Sequence, residues 1–483
     1  MTWHPVYREQ VLAPDFRFAG EHLLHHFIDA MTAHLDTVLR APNFLDEETQ
    51  VQGHDLRAAL QALHDDEVDE QADDVPDLYF ALQRKLEQRH GAAVGLIRVG
   101  LSRNDLDMTV YKMRGRDLLI ETGEQLLELR RLLLDLAGDH LDTIIIAQTH
   151  HQPGQPTTVA HYLAAVEEQS SRDSQRLMEA YSRLNRCPLG AAALAGSSHE
   201  LDRHIAAGGL GFDGPVNNTY DAVASADWEF DSVFVAQSVA LGLGRFVADL
   251  LSWASAGVFR LEDGLVQGSS IMPQKRNPVS LEHARTRFSR VLGAASMVGF
   301  SHHNIPFTDL NDFGPDIQGA LSLQHRLLSG ALELLSACLA GGDFDRQRLL
   351  ELARDTDTTA TELADVLTRD HELTFPAAHR VVATLVQQIK EQGRPLTTAR
   401  PADVEAAGGP QLDAEALAAA LDPAGFVRRR SGLGMPAPQV MEQQLVRARE
   451  RLHGDRATLR DRSEALRRTT AQLRGFRKEQ VKR

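Results

Sequence analysis

Apolar residues recur along this chain at the spacing of helices rather than strands. Over residues 117–137, Leu119, Leu126 and Leu133 stand seven apart, with Leu129 and Leu136 three residues after the last two. That is a coiled-coil-like seam. Residues 228–256 are apolar nearly all round, through Val233, Phe234, Val239, Leu243, Val247, Leu250 and Leu251. A helix of this kind has no face for water. It belongs at the centre of a bundle, one that several subunits can build together. Residues 319–340 repeat the Leu-rich pattern. No alternating pattern of comparable strength appears, so an all-α fold is expected.

The segments between these helices carry the polar signals. Residues 1–100 mix short helical patterns with acidic loops, and the stretch from Asp65 to Asp74 reads as a solvated surface loop. His22, His25 and His26 share one candidate helix with Glu21 and Asp29, a spacing common on polar helices, and no metal site is expected there. The apolar run Val94 to Val99 leads into Gly100-Leu101-Ser102-Arg103-Asn104-Asp105. Its Ser and Asn suit a helix cap or turn, and its Arg and Asn also suit a carboxylate ligand. After Ile144-Ile145-Ile146 comes Thr149-His150-His151-Gln152-Pro153-Gly154-Gln155-Pro156-Thr157-Thr158. The prolines and the glycine bar helix until Thr157, which is expected to cap the next helix. Asn185–Gly190 and Gly208–Gly211 read as linkers; the glycines neither follow a strand nor open a helix, so a dinucleotide site is rejected. From about residue 351 a smaller helical domain begins, opened by Asp355–Thr361 and interrupted around Arg394-Pro395 and Gly432–Pro438. The tail from Arg447 to Arg483 interleaves Arg with Glu and Asp, as a solvated amphipathic helix does. The expected division is 1–103, 104–350 and 351–483.

Composition narrows the function. The 483 residues are 43% hydrophobic and 24% charged, with a net charge of −16. Such a surface does not suit nucleic acid or an anionic membrane as main partner. Two isolated cysteines, Cys187 and Cys338, make neither a disulfide framework nor a zinc ligand set. The opening Met1-Thr2-Trp3-His4-Pro5 lacks the basic-then-apolar order of a secretory signal, and no apolar run reaches the ~18 residues of a membrane span. A reducing cytoplasm is the expected setting.

The most specific stretch is Gly268-Ser269-Ser270-Ile271-Met272-Pro273-Gln274-Lys275-Arg276-Asn277-Pro278. It has no helical or strand period and reads as a loop. At average abundances its fixed positions meet by chance about once in ~10^10 placements. It resembles the signature loop of the fumarase/aspartase superfamily, which implies removal of an amine or water from a succinyl group. That reaction needs a base beside one carboxylate, donors for the resulting dianion, a proton for the leaving nitrogen and a clamp on the distal carboxylate. The Gly-Ser-Ser backbone and hydroxyls, Lys275 and Asn277 are suitable donors. A serine becomes a base only when cations and dipoles lower its pKa, which loop closure can provide. His150, with a carboxylate available at Glu282, suits acid–base work near neutral pH.

Taken together, Ser102-Arg103-Asn104-Asp105, Thr149-His150-x-Gln152 with Gln155–Thr158, and Gly268–Pro278 resemble the signature stretches of the fumarase/aspartase superfamily. Pro188-Leu189-Gly190, Ala193–Gly196, Asn218–Val223 and Thr359–Asp365 resemble its argininosuccinate lyase branch, and the similarity runs over about residues 75–450. The resemblance implies three helical domains and a homotetramer with a twenty-helix core. It also implies active sites each assembled from three subunits, and neither metal nor organic cofactor. It implies Ser269 as base, and His150 paired with Glu282 in proton transfer. Ser102, Arg103, Asn104, Thr149, Gln152, Ser270, Met272, Lys275 and Asn277 are implied as substrate-binding. The departures lie in the amine half of the site. Ala226 stands where the branch has Arg, and Pro306, Asn311 and Gly314 stand for its Tyr, Gln and Lys. Leu106 replaces a Gln, and the N-terminal Trp-Gly-Gly-Arg-Phe is absent. Asp107, Asp309 and Asp312 are the remaining residues able to meet a guanidinium. The expected activity is a reversible C–N lyase that releases fumarate from an N-substituted aspartate, with an amine other than arginine. A true argininosuccinate lyase is the alternative, and a non-catalytic lens-crystallin-like relative is the alternative of another class.

Overall fold

A computed structural model describes residues 3–42, 45–66 and 71–475. Residues 67–70 of the acidic stretch and 476–483 of the Arg-rich tail lie outside the described residues. Helical turns over Pro5–Tyr7 and Arg8–Leu12 open the chain and run into α1 (Ala13–His22), followed by α2 (Leu24–Leu39), α3 (Glu47–Ala62) and α4 (Leu78–His90). Asp46 and Asp77 cap α3 and α4 by accepting the amides of Thr49 and Phe80. The run Val94–Val99, left unassigned by its sequence pattern, lies mostly in a 3₁₀ segment, Gly91–Arg98.

Five long helices then form the body: α5 (Arg103–Asp139), α6 (Val159–Leu184), α7 (Asp227–Ser255), α8 (Val279–His302) and α9 (Pro315–Ala340). Each packs on the next, and α9 packs back on α5, so the five close into a ring. The Leu seam explains α5. Leu119, Leu126, Leu129 and Leu133 are completely buried, and each such burial stabilises by about 1.5–3 kcal/mol.

α7 is apolar all round but only half covered by its own chain. Its most apolar window has a mean hydropathy of 1.5 and is 50% buried. By length and composition it is the one helix, among the described residues, that passes as a membrane span; the helices packed along it make it a core helix. Phe234 and Leu241 on α7, and Met297 and Phe300 on α8, stand exposed. An apolar strip of that size needs a partner surface.

Short strands join the helices. β1 (Ile144–Thr149) pairs antiparallel with β2 (Gln152–Thr158), and β3 (Phe259–Leu261) with Gly342–Phe344. β4 (Gln267–Gly268) pairs with β5 (Arg276–Asn277). The all-α expectation holds for the architecture, and these ribbons are its additions. Thr158, not Thr157, caps α6: its hydroxyl accepts the His161 amide at 3.1 Å, because the β1–β2 ladder runs through Thr157 to the Ile144–Thr158 pair.

The remaining helices form a second core and a return. α10 (Ala360–Asp370), α11 (Phe375–Glu391) and α12 (Ala414–Leu421) enclose a separate cluster built on Leu363, Leu367, Leu385 and Leu417. α13 (Pro438–Leu473) then runs back along α5 and α6. Its Leu445, Leu452 and Leu459 join the main core. The fully buried Arg130 of α5 ties the three helices together, donating to Glu167 of α6 at 2.9 Å and to Asp455 of α13 at 2.7 Å.

Candidate active site

The signature stretch is the tip of a ribbon. The β4–β5 pairing brings Gly268 opposite Arg276, so residues 269–275 form the turn between them. The turn closes on itself: the Lys275 amide donates to the Met272 carbonyl at 3.1 Å, and the Ser269 hydroxyl accepts the Met272 amide at 3.1 Å. Its base is fixed. Arg276 donates to the Leu261 carbonyl at 2.9 Å and pairs with Asp263, and Ser280 donates to the Leu265 carbonyl at 2.7 Å. The tip itself is open to solvent, with Ile271 83% exposed. α8 starts directly after Pro278, so its positive end faces the foot of the ribbon. Beside it lies a cleft of about 620 Å3 lined by Lys275, Asn277 and Glu282. A cation, an amide donor and a helix N-terminus around one cleft suit a carboxylate.

His150 sits at the tip of the β1–β2 hairpin. Thr149 pairs with Gln152, leaving His150 and His151 as a two-residue loop. Both have positive φ, 55° and 60°. That is the geometry of a type I′ turn, normally supplied by Asn-Gly. Histidine is among the non-glycine residues that tolerate the left-handed region, at some cost in strain. Thr149, His150, His151 and Gln152 are all exposed.

Ser102, Arg103 and Asn104 open α5. Ser102 is its N-cap in a capping box with Asp105. Asp105 is wholly buried and accepts the amides of Ser102, Gly190 and Ala192 at 2.9, 2.8 and 3.0 Å. Burial raises its carboxyl to about 7, even with the three amides drawing it down. The motif is thereby pinned to the loop that comes after α6. Asn104 adds a bond to the Ala193 carbonyl at 3.3 Å. Arg103 pairs with Asp77 at 2.9 Å and Asp107 at 3.4 Å. Both Ser102 and Arg103 thus have structural partners beside any ligand.

The chain brings Lys275, Asn277 and Glu282 to one cleft and leaves the other predicted residues elsewhere. Among the described residues no hydrogen bond or ion pair joins any two of the three stretches, and none joins His150 to Glu282. The positions of departure have local explanations. Leu106 is completely buried in the core of α5. Ala226 and Gly314 are the N-cap residues of α7 and α9. Next to Pro306, Phe307 stacks on Tyr220 with centroids 6.0 Å apart. Sequence reasoning missed Asp77 and Asp105 as holders of the Ser102–Asn104 stretch; Asp105 had a signal, since Ser102-x-x-Asp105 spells a capping box. Among the described residues no three His, Cys, Asp or Glu side chains converge as metal ligands.

Known proteins resemble this chain in both sequence and fold. A lyase family model matches residues 58–293, and an argininosuccinate lyase C-terminal model matches residues 357–428. Argininosuccinate lyase 2 of Agrobacterium fabrum is 34% identical over 467 residues, covering 93% of this chain and 90% of that protein. Argininosuccinate lyase of Natronomonas pharaonis is 35% identical over 430 residues, covering 87% and 86%. The crystal structure of EDDS lyase in complex with formate superposes with a TM-score of 0.86 at 29% identity, covering 98% of this chain and 95% of that one.

Proposed function

The chain belongs to the argininosuccinate lyase branch of the fumarase/aspartase superfamily, and on that premise we propose that it releases fumarate from an N-substituted aspartate whose amine is not arginine. It is a fumarate-forming carbon–nitrogen lyase with an all-α fumarase/aspartase fold.

The observation that carries the site assignment is the open ribbon tip. Ser269 stands at its start, and Lys275, Asn277 and the positive end of α8 stand at its foot. In this reading Ser269 takes the proton from the carbon beside one carboxylate. Ser270, Lys275, Asn277 and backbone amides of the turn hold the dianion that forms. Met272 meets the substrate with them. His150, with Glu282 orienting it, moves the proton that the departing nitrogen needs. Thr149, Gln152, Asn104, Ser102 and Arg103 hold the rest of the substrate.

The three stretches lie apart in one chain, at the start of α5, on the β1–β2 hairpin and at the ribbon tip, which supports sites shared between subunits. The exposed strip Phe234, Leu241, Met297 and Phe300 supports the same arrangement. Five ring helices from each of four copies give the twenty of a tetrameric core. A cytoplasmic setting without membrane or nucleic-acid partners, and the division at 103 and 350, complete the proposal.

The second reading is a true argininosuccinate lyase, favoured by the names of the two relatives. Fumarate absorbance during incubation with argininosuccinate, and fumarate loss with a panel of amines, separates the two. Turnover with no substrate of either kind leaves a structural relative.

A further inference from the structure

A cavity of about 440 Å3 lies beside Arg103, between α1, the start of α5 and the start of α9. Four carboxylates line it, Asp15, Asp77, Asp107 and Asp316, against one cation, Arg103. Arg103 is shared between Asp77 and Asp107. Asp15 and Asp316 have no ion pair among the described residues, and the charge of Asp316 bears directly on Asp15. Asp316 sits in the first turn of its helix, which favours an acid; Asp15 follows helical backbone that runs from Pro5 to Leu12 and has no such support. Neither position accounts for two like charges turned on one empty volume.

One further polar group points to a ligand: the buried Trp3 indole N–H, on the lining, has no hydrogen-bond partner among the described residues. Tyr111, 5% exposed, lines the same cavity. Buried polar groups are ordinarily satisfied. The carboxylates are too dispersed for one metal ion, since no three of them converge. The walls between them are aromatic, with Tyr7 and Phe18. Dispersed negative charge and aromatic faces suit an organic cation with more than one ammonium.

We infer that this cavity receives an aliphatic di- or polyamine without a carboxylate as the amine half of the substrate, its distal ammonium between Asp15 and Asp316. The inference rests on the reading of Ser102–Asn104 as one wall of the fumarate site. In the addition direction the near nitrogen, as free amine, forms the C–N bond to one alkene carbon of fumarate. The other alkene carbon gains a proton and the nitrogen loses one, so the sum is amine plus fumarate giving the N-substituted aspartate. The distal ammonium is unchanged. An amino acid brings a carboxylate into a cavity that already holds four.

The test uses the whole purified protein. Calorimetric titration with 1,4-diaminobutane, n-butylamine and arginine is paired with fumarate loss on adding each amine. The diamine should bind at least tenfold tighter than n-butylamine and should alone consume fumarate rapidly. Asp15→Asn and Asp316→Asn, whose side chains hold no structural bond, should each weaken diamine binding at least tenfold with the thermal midpoint unmoved. Fumarate loss with arginine and none with the diamine overturns the inference, as does diamine binding that both variants leave intact. Diamine binding lost in both variants, with no fumarate chemistry for any amine, supports the cation site and overturns the lyase reading instead.

Discussion

The Ser269 hydroxyl accepts a hydrogen bond from the Met272 amide at 3.1 Å, with the Ile271 amide at 3.4 Å. The residue proposed as base is therefore held at the start of its turn by two amide dipoles, which favour the alkoxide a serine base must become. Ser269→Ala should lower turnover by at least ~10^2, the usual contribution of a general base. The ribbon foot, fixed by Arg276 and Ser280, should hold the fold unchanged. Wild-type turnover in the variant would remove Ser269 from that role.

His150 can be tested without breaking its hairpin. Asn is among the residues best suited to positive φ, so His150→Asn removes the imidazole and keeps the turn. Turnover should drop, by less than for Ser269→Ala. Mixing inactive Ser269→Ala and His150→Asn proteins and allowing subunit exchange should restore part of the activity. Light scattering should report a tetramer. Proven exchange without any recovery would mean that sites are not shared.

Argininosuccinate should be a poor substrate. Ala226, Pro306, Asn311 and Gly314 stand where the branch has Arg, Tyr, Gln and Lys. Each lost charged hydrogen bond costs ~1.5–3 kcal/mol, so two losses weaken binding of the arginine half by roughly 10^2–10^4-fold. Steady-state assays should give a kcat/KM below the ordinary ~10^4 M⁻¹s⁻¹. A value above it would mean that Asp107, Asp309 or Asp312 meets the guanidinium.

Stability should depend on pH through Asp107. Burial pushes its carboxyl up to about 7, despite Arg103. The unfolded side chain releases its proton near ~4. Between these values the folded state binds more protons, so the stability Asp107 contributes is full below ~4 and is lost as pH rises towards 7. Asp107→Asn removes the titration. The wild-type thermal midpoint should therefore fall relative to D107N between pH 5 and pH 8. A difference that stays flat, or moves the other way, would count against the raised pKa.

Replacing Asp105 should be costly. Asp105→Ala orphans the amides of Ser102, Gly190 and Ala192, each worth ~1–3 kcal/mol when left unpaired in the interior. Denaturant melts should show a loss of ~3 kcal/mol or more. Asp105→Asn should lose less, since one amide oxygen still accepts.

What the sequence disclosed was what depends on local residue types. The Leu seam announced α5, the all-round apolar run announced α7, and the aperiodic Gly268–Pro278 stretch announced an exposed loop. The His-His hairpin was not legible, because neither residue carries the usual type I′ signal and its strand Gln152–Thr158 holds two prolines. Nor was the carboxylate-lined cavity. Asp15, Asp77, Asp107 and Asp316 come from four distant segments, and only the packing of α1 against α5 and α9 makes them neighbours. Asp107 alone had drawn notice, as a residue able to meet a guanidinium.

The return of α13 sets an order on the birth of the protein. Arg474, just past its end, clasps Asp29 of α2 at 2.7 and 2.9 Å, and Arg57 of α3 holds the Leu473 carbonyl at 2.9 Å. Asp29 is 3% exposed, and 445 residues separate it from Arg474. At ordinary translation rates of ~5–20 residues per second, Arg474 is made roughly 20–90 s after Asp29. Until then the nascent chain carries a buried-to-be carboxylate and the bare flanks of α5 and α6, surfaces that invite a chaperone or a wrong neighbour. The last clasp to form is the one that shuts the first helices in place.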